Sequence, residues 1–137
     1  MAEVQLTVRA HLNPTESQEK LEKAITNLFG DMELNRTKIH GVAYLEVKAS
    51  GIESLRQLKQ RIASDRIRDA TRAMLSRWAA KNEKVTFHLN RQAAYANHVS
   101  IYHASKSPLG PIEVEIDGPP DYIVQFLTGK SSSPGRP

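Results

Sequence analysis

The sequence contains no cysteine. That absence excludes disulfides, cysteine-ligated zinc, iron–sulfur clusters and thiol catalysis together. No apolar run approaches the roughly 18 residues of a membrane-spanning helix, and no basic-then-apolar leader follows Met1. These two absences give the expectation of a cytoplasmic protein. Aromatic residues are scarce, at 6% of the chain, and the seven glycines are scattered at element boundaries. A Gly-rich phosphate cradle is therefore not expected, nor the aromatic-rich sheet of an RNA-recognition motif. The chain also lacks a G-x-S-x-G elbow, H-E-x-x-H, G-x-G-x-x-G and the Walker phosphate loop. With no titratable groups arranged by spacing for acid–base work, the expectation is no enzyme and no cofactor.

What is present suits one globular domain. A length of 137 residues with 39% hydrophobic and 25% charged residues and a mean hydropathy of -0.48 is ordinary for a water-soluble fold. A chain of this size buries about two-thirds of its unfolded surface and folds without metal or disulfide. We place the domain at residues 1–127 and expect residues 128–137, rich in Gly, Ser and Pro, to form a disordered tail.

The net charge of +4 is mild, but its distribution is not. Residues 1–52 hold six basic and seven acidic side chains, 53–84 hold nine and four, and 85–137 hold four of each. The excess therefore lies in the middle segment, whose apolar residues recur at helical spacing. A basic helical face is the footprint of a phosphate-backbone binder. The competing reading is a solvated helix laced with ion pairs, since Asp65 and Arg68, and Asp69 and Arg72, stand three apart.

Alternation of period two predicts strands along Val4–Leu12, Ala43–Ala49, Val85–Leu89, Val99–His103 and Ile112–Ile116, with a weaker one in Met32–Thr37. Lys38–Gly41 reads as a hairpin connection. Leu21, Ile25 and Leu28 predict a helix that Asn13, Pro14 and Thr15 introduce and Gly30 stops. Leu55, Leu58 and Ile62 form one apolar stripe, and Ile67, Ala70, Met74 and Trp78 another, about 150° away on a straight helix. One helix cannot bury both, so two are expected, with Ser64 or Asp65 capping the second. Arg66, Arg68, Arg72 and Arg77 fall off the second stripe, free to face solvent or a ligand. Ser107–Pro111 reads as a loop, and Tyr122, Ile123, Phe126 and Leu127 as a short closing helix. Strands in runs, with helices gathered on one face, define an α+β fold with a mostly antiparallel sheet.

Two constellations stand out. His88, His98 and His103 fall close together, but lack compact ligand spacing, and we read no metal site there. The stretch from Leu89 to His98 is longer than a tight hairpin needs and carries Arg91, Gln92 and Tyr95, the edges and ring that unpaired bases use. Its alternative is a short helical connection whose alanines pack on the sheet while Tyr95 covers an edge. Tyr44, Tyr95, Tyr102 and Trp78 are the aromatics available as exposed stackers, Trp78 fitting a core position better.

Four stretches in order, Val8–Thr15 running into Glu16, Ile67–Arg72 with Leu75, Phe87–Tyr95 and Ser107–Ile112, resemble the archaeal uncharacterised protein family 0201. The resemblance covers nearly the whole chain up to Leu127. It implies a fold similar to that of ribosomal protein L-five, and it brings no catalytic residues. The reading is a non-enzymatic RNA-binding protein: Arg66, Arg68, Arg72 and Arg77 neutralise phosphates, while Arg91, Gln92 and Tyr95 contact sugar or base. The alternative is a structural or protein-interaction module, such as a homodimer, with a small-molecule enzyme third.

Overall fold

Alternating apolar residues on β1 (Gln5–His11) turn Leu6, Val8 and Ala10 to one side of the sheet, where each is buried. In the computed structural model, which describes residues 4–79, 84–102 and 112–129, β1 lies inside a six-stranded sheet of order β2-β3-β1-β6-β4-β5. The other strands are β2 (Asn35–Ile39), β3 (Val42–Ser50), β4 (Lys84–Leu89), β5 (Ile101–Tyr102) and β6 (Ile112–Asp117). Every pairing is antiparallel. Leu45, Val47, Val85, Phe87, Leu89, Ile112, Val114 and Ile116 join the β1 residues in one core. The opposite face, with Arg9, Glu46, Lys48, Lys84, Glu113 and Glu115, stays partly exposed, which is the one-sided burial an antiparallel sheet permits.

The helices collect over the buried face. They are α1 (Gln18–Phe29), α2 (Arg56–Ser64), entered through a 3-10 turn at Ile52–Leu55, α3 (Arg68–Ala79), α4 (Arg91–Tyr95) and α5 (Pro120–Thr128). Leu21, Ile25 and Leu28 on α1, Leu58 and Ile62 on α2, Leu75 on α3, and Ile123 and Leu127 on α5 complete the core. The α+β class and the helices on one face thus stand as the patterning implied. No helix among the described residues is long and apolar enough to cross a membrane.

Several local expectations are corrected. The cap of α1 is Ser17, whose hydroxyl accepts from the Lys20 N–H at 3.3 Å, because Pro14 and Thr15 are spent in the preceding turn. The β2–β3 hairpin turns on His40 and Gly41, both at positive φ (52° and 80°), which makes it a type I′ turn matched to strand twist. On α3 the buried positions are Thr71 and Leu75, not Ala70, which is exposed. The small Thr71 side chain fits against the core while Ile67 packs at its margin and Met74 is half-buried, so the buried face of α3 is shifted toward Thr71 and Leu75 from the expected stripe. The expected Ser107–Pro111 loop, His103 and the tail from residue 130 lie outside the described residues, as do the side chains of Trp78 and Tyr102.

Candidate nucleic-acid interface

The phase jump between the two apolar stripes is a helix stop. The N–H of Arg66 bonds the carbonyl of Ala63 at 3.1 Å, and that of Ile67 bonds the carbonyl of Ile62 at 3.3 Å, while Arg66 sits at φ 59°. These two bonds and one left-handed residue are a Schellman motif, with Ile62 and Ile67 as its apolar pair. Asp65 is therefore the last capping residue of α2 and does not cap α3 as the sequence suggested. The left-handed position is usually glycine, because an L side chain there costs about 1–2 kcal/mol. Here it holds an exposed arginine.

Asp65 is committed elsewhere. Its Oδ2 accepts the Val99 N–H at 2.7 Å and its Oδ1 meets His98 Nδ1 at 3.0 Å, tying the helix break to the segment after α4. Burial pushes the Asp65 carboxyl up, but the Val99 and His98 bonds outweigh it and hold the group below its ordinary range. The expected Asp65–Arg68 and Asp69–Arg72 ion pairs are not formed among the described residues.

Arg66, Arg68 and Arg72 instead line one open cleft of 560 Å³, with Ala63, Asp69, Ala70 and Thr128. Arg72 also grips the end of α5: its Nε donates to Thr128 Oγ1 at 3.0 Å and its Nη2 to the Thr128 carbonyl at 3.1 Å. Lys59 Nζ donates to the carbonyls of Phe126 and Gly129 at 2.9 and 2.8 Å. Both cations complement the negative end of the α5 dipole. Burial, then the nearby charge of Arg68, lowers the Lys59 pKa, a sign of how positive this corner is. Arg77 is exposed but follows Arg72 by five residues, about 140° around α3, and does not line the cleft.

The second half of the expected site is rearranged. The stretch after β4 folds as α4, capped by Asn90, whose side chain accepts the Ala93 N–H at 2.9 Å, and docked on α1 by a 2.8 Å bond from Asn27 to the Ala94 carbonyl. Arg91 is fully buried, its Nη1 donating to the His11 carbonyl at 2.9 Å and to Glu16 Oε1 at 2.5 Å. The Tyr95 hydroxyl donates to Glu16 Oε2 at 2.5 Å. Arg91 therefore cannot contact sugar or base, and Tyr95 has its polar end engaged inside. Gln92 remains exposed. Burial drives the Glu16 carboxyl up, but the hydrogen bonds from Tyr95 and Arg91 together hold it below its usual range. Burial and the bond to Glu16 push the Tyr95 phenol up to about 12. The signal available beforehand was Asn90 as a helix cap, which turns the next five residues into a packed helix rather than an open loop.

Residues 5–117 match a family model described as RNA binding. The chain is 32% identical over 117 residues to a UPF0201 protein of Aeropyrum pernix, covering 85% of this chain and 78% of that one. It is 35% identical over 128 residues to a UPF0201 protein of Sulfolobus acidocaldarius, covering 91% and 87%. The crystal structure of a UPF0201 protein from Methanococcus jannaschii superposes with a TM-score of 0.75 at 27% identity, over 93% of this chain and 95% of that one. These likenesses speak to the family's own fold and not to that of ribosomal protein L-five. In this chain the matched stretch from β1 to β6 carries both the arginine-lined helix break and the buried Arg91–Glu16 pair, and the chain belongs to the UPF0201 family.

Proposed function

We propose that the protein is a non-enzymatic RNA-binding protein whose cleft at the α2–α3 break holds the phosphate backbone. The observation that carries this reading is Arg66: a charged residue in a left-handed position, usually glycine, on the rim of a cleft shared with Arg68 and Arg72. Strain kept at such a place points to a use for the side chain. Guanidinium forks suit phosphate oxygens, and no carboxylate pairs with these three among the described residues. The family model's description supports the same class of ligand.

The test is the salt dependence of binding to a generic RNA. Each neutralised phosphate contributes about 0.7 to the slope of log K against log salt for a single strand and about 0.9 for a B-form duplex. The Arg66→Gly/Arg68→Gln variant should flatten the slope by about 1.4 on a single strand. A flat salt response in the parent protein, or an unchanged slope in the variant, overturns the proposal. The homodimer alternative draws on Ile39 and Val42, each 37% exposed, and predicts a particle mass above the chain's 15.3 kDa.

A further inference from the structure

Strand β2 is an edge of the sheet, and its neighbour fixes where its backbone groups point. The Ala43 carbonyl on β3 accepts the Leu12 N–H at 2.8 Å, so Ala43 turns its backbone groups toward β1 and away from β2. Its cross-strand partner Lys38 therefore faces it as a non-hydrogen-bonded pair, and two residues on, Arg36 faces Leu45 in the same way. The hairpin agrees, because a turn of type I′ pairs its flanking residues, here Ile39 and Val42. The N–H and C=O groups of Arg36 and Lys38 thus point off the edge of the sheet. Asn35, Arg36, Lys38 and Ile39 are exposed, and no strand among the described residues lies beyond them.

The two sides of this edge differ in chemistry. Register places Arg36 opposite Leu45 and Lys38 opposite Ala43, on the side of the sheet that the helices cover elsewhere. Both are exposed there, and neither is ion-paired among the described residues. Arg36 shares a cleft with Glu16, whose carboxylate is already held by Arg91 and Tyr95. The other side carries Asn35, Thr37 and Ile39, with Ile39 exposed beside Val42. A chain laid along the edge meets cations on one side and an apolar surface on the other. Strand side chains alternate between sides, so the matching chain alternates acidic and apolar residues. A second copy of β2 does not match. Every antiparallel register that joins the free backbone groups sets Arg36 or Lys38 against a cation of the copy, which is destabilising. A phosphate suits the cations and the N–H groups but is repelled by the carbonyls between them, whereas a peptide strand satisfies both. We propose that the β2 edge takes up an extended segment of alternating acidic and apolar residues from a partner protein, as an added antiparallel strand.

This surface is independent of the arginine cleft. Strand β2 ends the sheet on one side, while α3, which carries Arg68 and Arg72, packs on β4 toward the other. Backbone bonds to Arg36 and Lys38 supply the affinity, and the side chains supply the choice of partner. The same repulsion that keeps two copies of the edge apart becomes selectivity for the acidic chain.

The probe is a fluorescent peptide of sequence GSIEVEVGS, which in the antiparallel register sets its isoleucine opposite Ile39 and its glutamates opposite Lys38 and Arg36. It is titrated against the full chain by fluorescence anisotropy. The parent protein should bind it about twofold to thirtyfold more tightly than GSIQVQVGS, the range expected of two cross-strand charge pairs. Arg36→Gln/Lys38→Gln should erase that preference, and Arg36→Glu/Lys38→Glu should transfer it to GSIKVKVGS. Hydrogen exchange at the Arg36 and Lys38 amides should slow when GSIEVEVGS binds. N-methylation of both glutamates keeps the charges, deletes the ladder donors and should abolish binding. If the methylated peptide binds as well as the unmethylated one, or the glutamine peptide as well as the glutamate one, or if GSIEVEVGS does not bind, the proposal is overturned. An oligouridylate that displaces the peptide and protects the same two amides assigns the edge to RNA and overturns it too. So does a parent protein that sediments as a dimer and becomes monomeric on Lys38→Pro, which assigns the edge to a second copy. The cleft is judged separately, by its own salt slope.

Discussion

Glu16 gathers Arg91, Tyr95 and Asn13 around one nearly buried carboxylate, with 5% of its side chain exposed. Breaking a buried pair leaves its other charge uncompensated, so Arg91→Met should destabilise the fold by about 3 kcal/mol or more in urea unfolding. Its RNA affinity, measured where the variant stays folded, should match the parent's. Tyr95→Phe removes a hydrogen bond to a charged group and should cost about 1.5–3 kcal/mol. The pH dependence follows from the same groups. Glu16 and Asp65 titrate lower in the folded state than in the unfolded one, whose values lie near 4.5 and 3.8. Their contribution is complete above those values and is lost as pH falls through the lower folded ones. Tyr95 runs the opposite way: its contribution is complete below pH 10 and is lost as pH rises toward about 12. Urea midpoints measured across the acid range should therefore fall below about pH 5, and Glu16→Gln should flatten that limb.

Among the elements, the α2–α3 break is the informative one. Arg66→Gly removes left-handed strain but loosens the unfolded chain, and these effects oppose, so its unfolding free energy should stay within about 1 kcal/mol of the parent. A β-branched residue tolerates that backbone least, and Arg66→Val should fall below both the parent and Arg66→Gly in the same measurement. The break itself was legible, because two apolar stripes out of phase cannot share one straight helix. Its construction was not. The usual glycine marker of a Schellman stop is absent, and Ser64–Asp65 carry the residue types of an N-cap, so local chemistry argued for the wrong end of the wrong helix. The facing of α3 was misread for a related reason: Thr71, polar by type, is buried while Ala70 is exposed, and only packing against a specific neighbour separates two such small side chains.

Over the whole molecule the charge is divided between layers. The helical side carries the basic excess, while the open sheet face sets Glu46, Glu113, Glu115 and Asp117 against Arg9, Lys48 and Lys84, with Lys84 held by Glu115 at 2.9 Å. A polyanion is drawn to the first of these and gains little from the middle of the second. Lys84→Gln, at the far end of that face, should leave the salt slope of RNA binding unchanged in the same titrations that Arg68→Gln alters. The amino-acid sequence by itself determined the strands, the helices, the side of the sheet they cover and the segment that holds the surplus charge, because each depends on periodicity within a few residues. Which arginines remain available was decided only by the tertiary structure. Arg91 is consumed by a carboxylate 75 positions away and Arg72 is half engaged by a hydroxyl 56 positions away, while Arg68 has no ion pair among the described residues because its expected partner Asp65 is taken by Val99 and His98. Partners so distant along the chain meet only when the core closes, and no local pattern encodes their meeting.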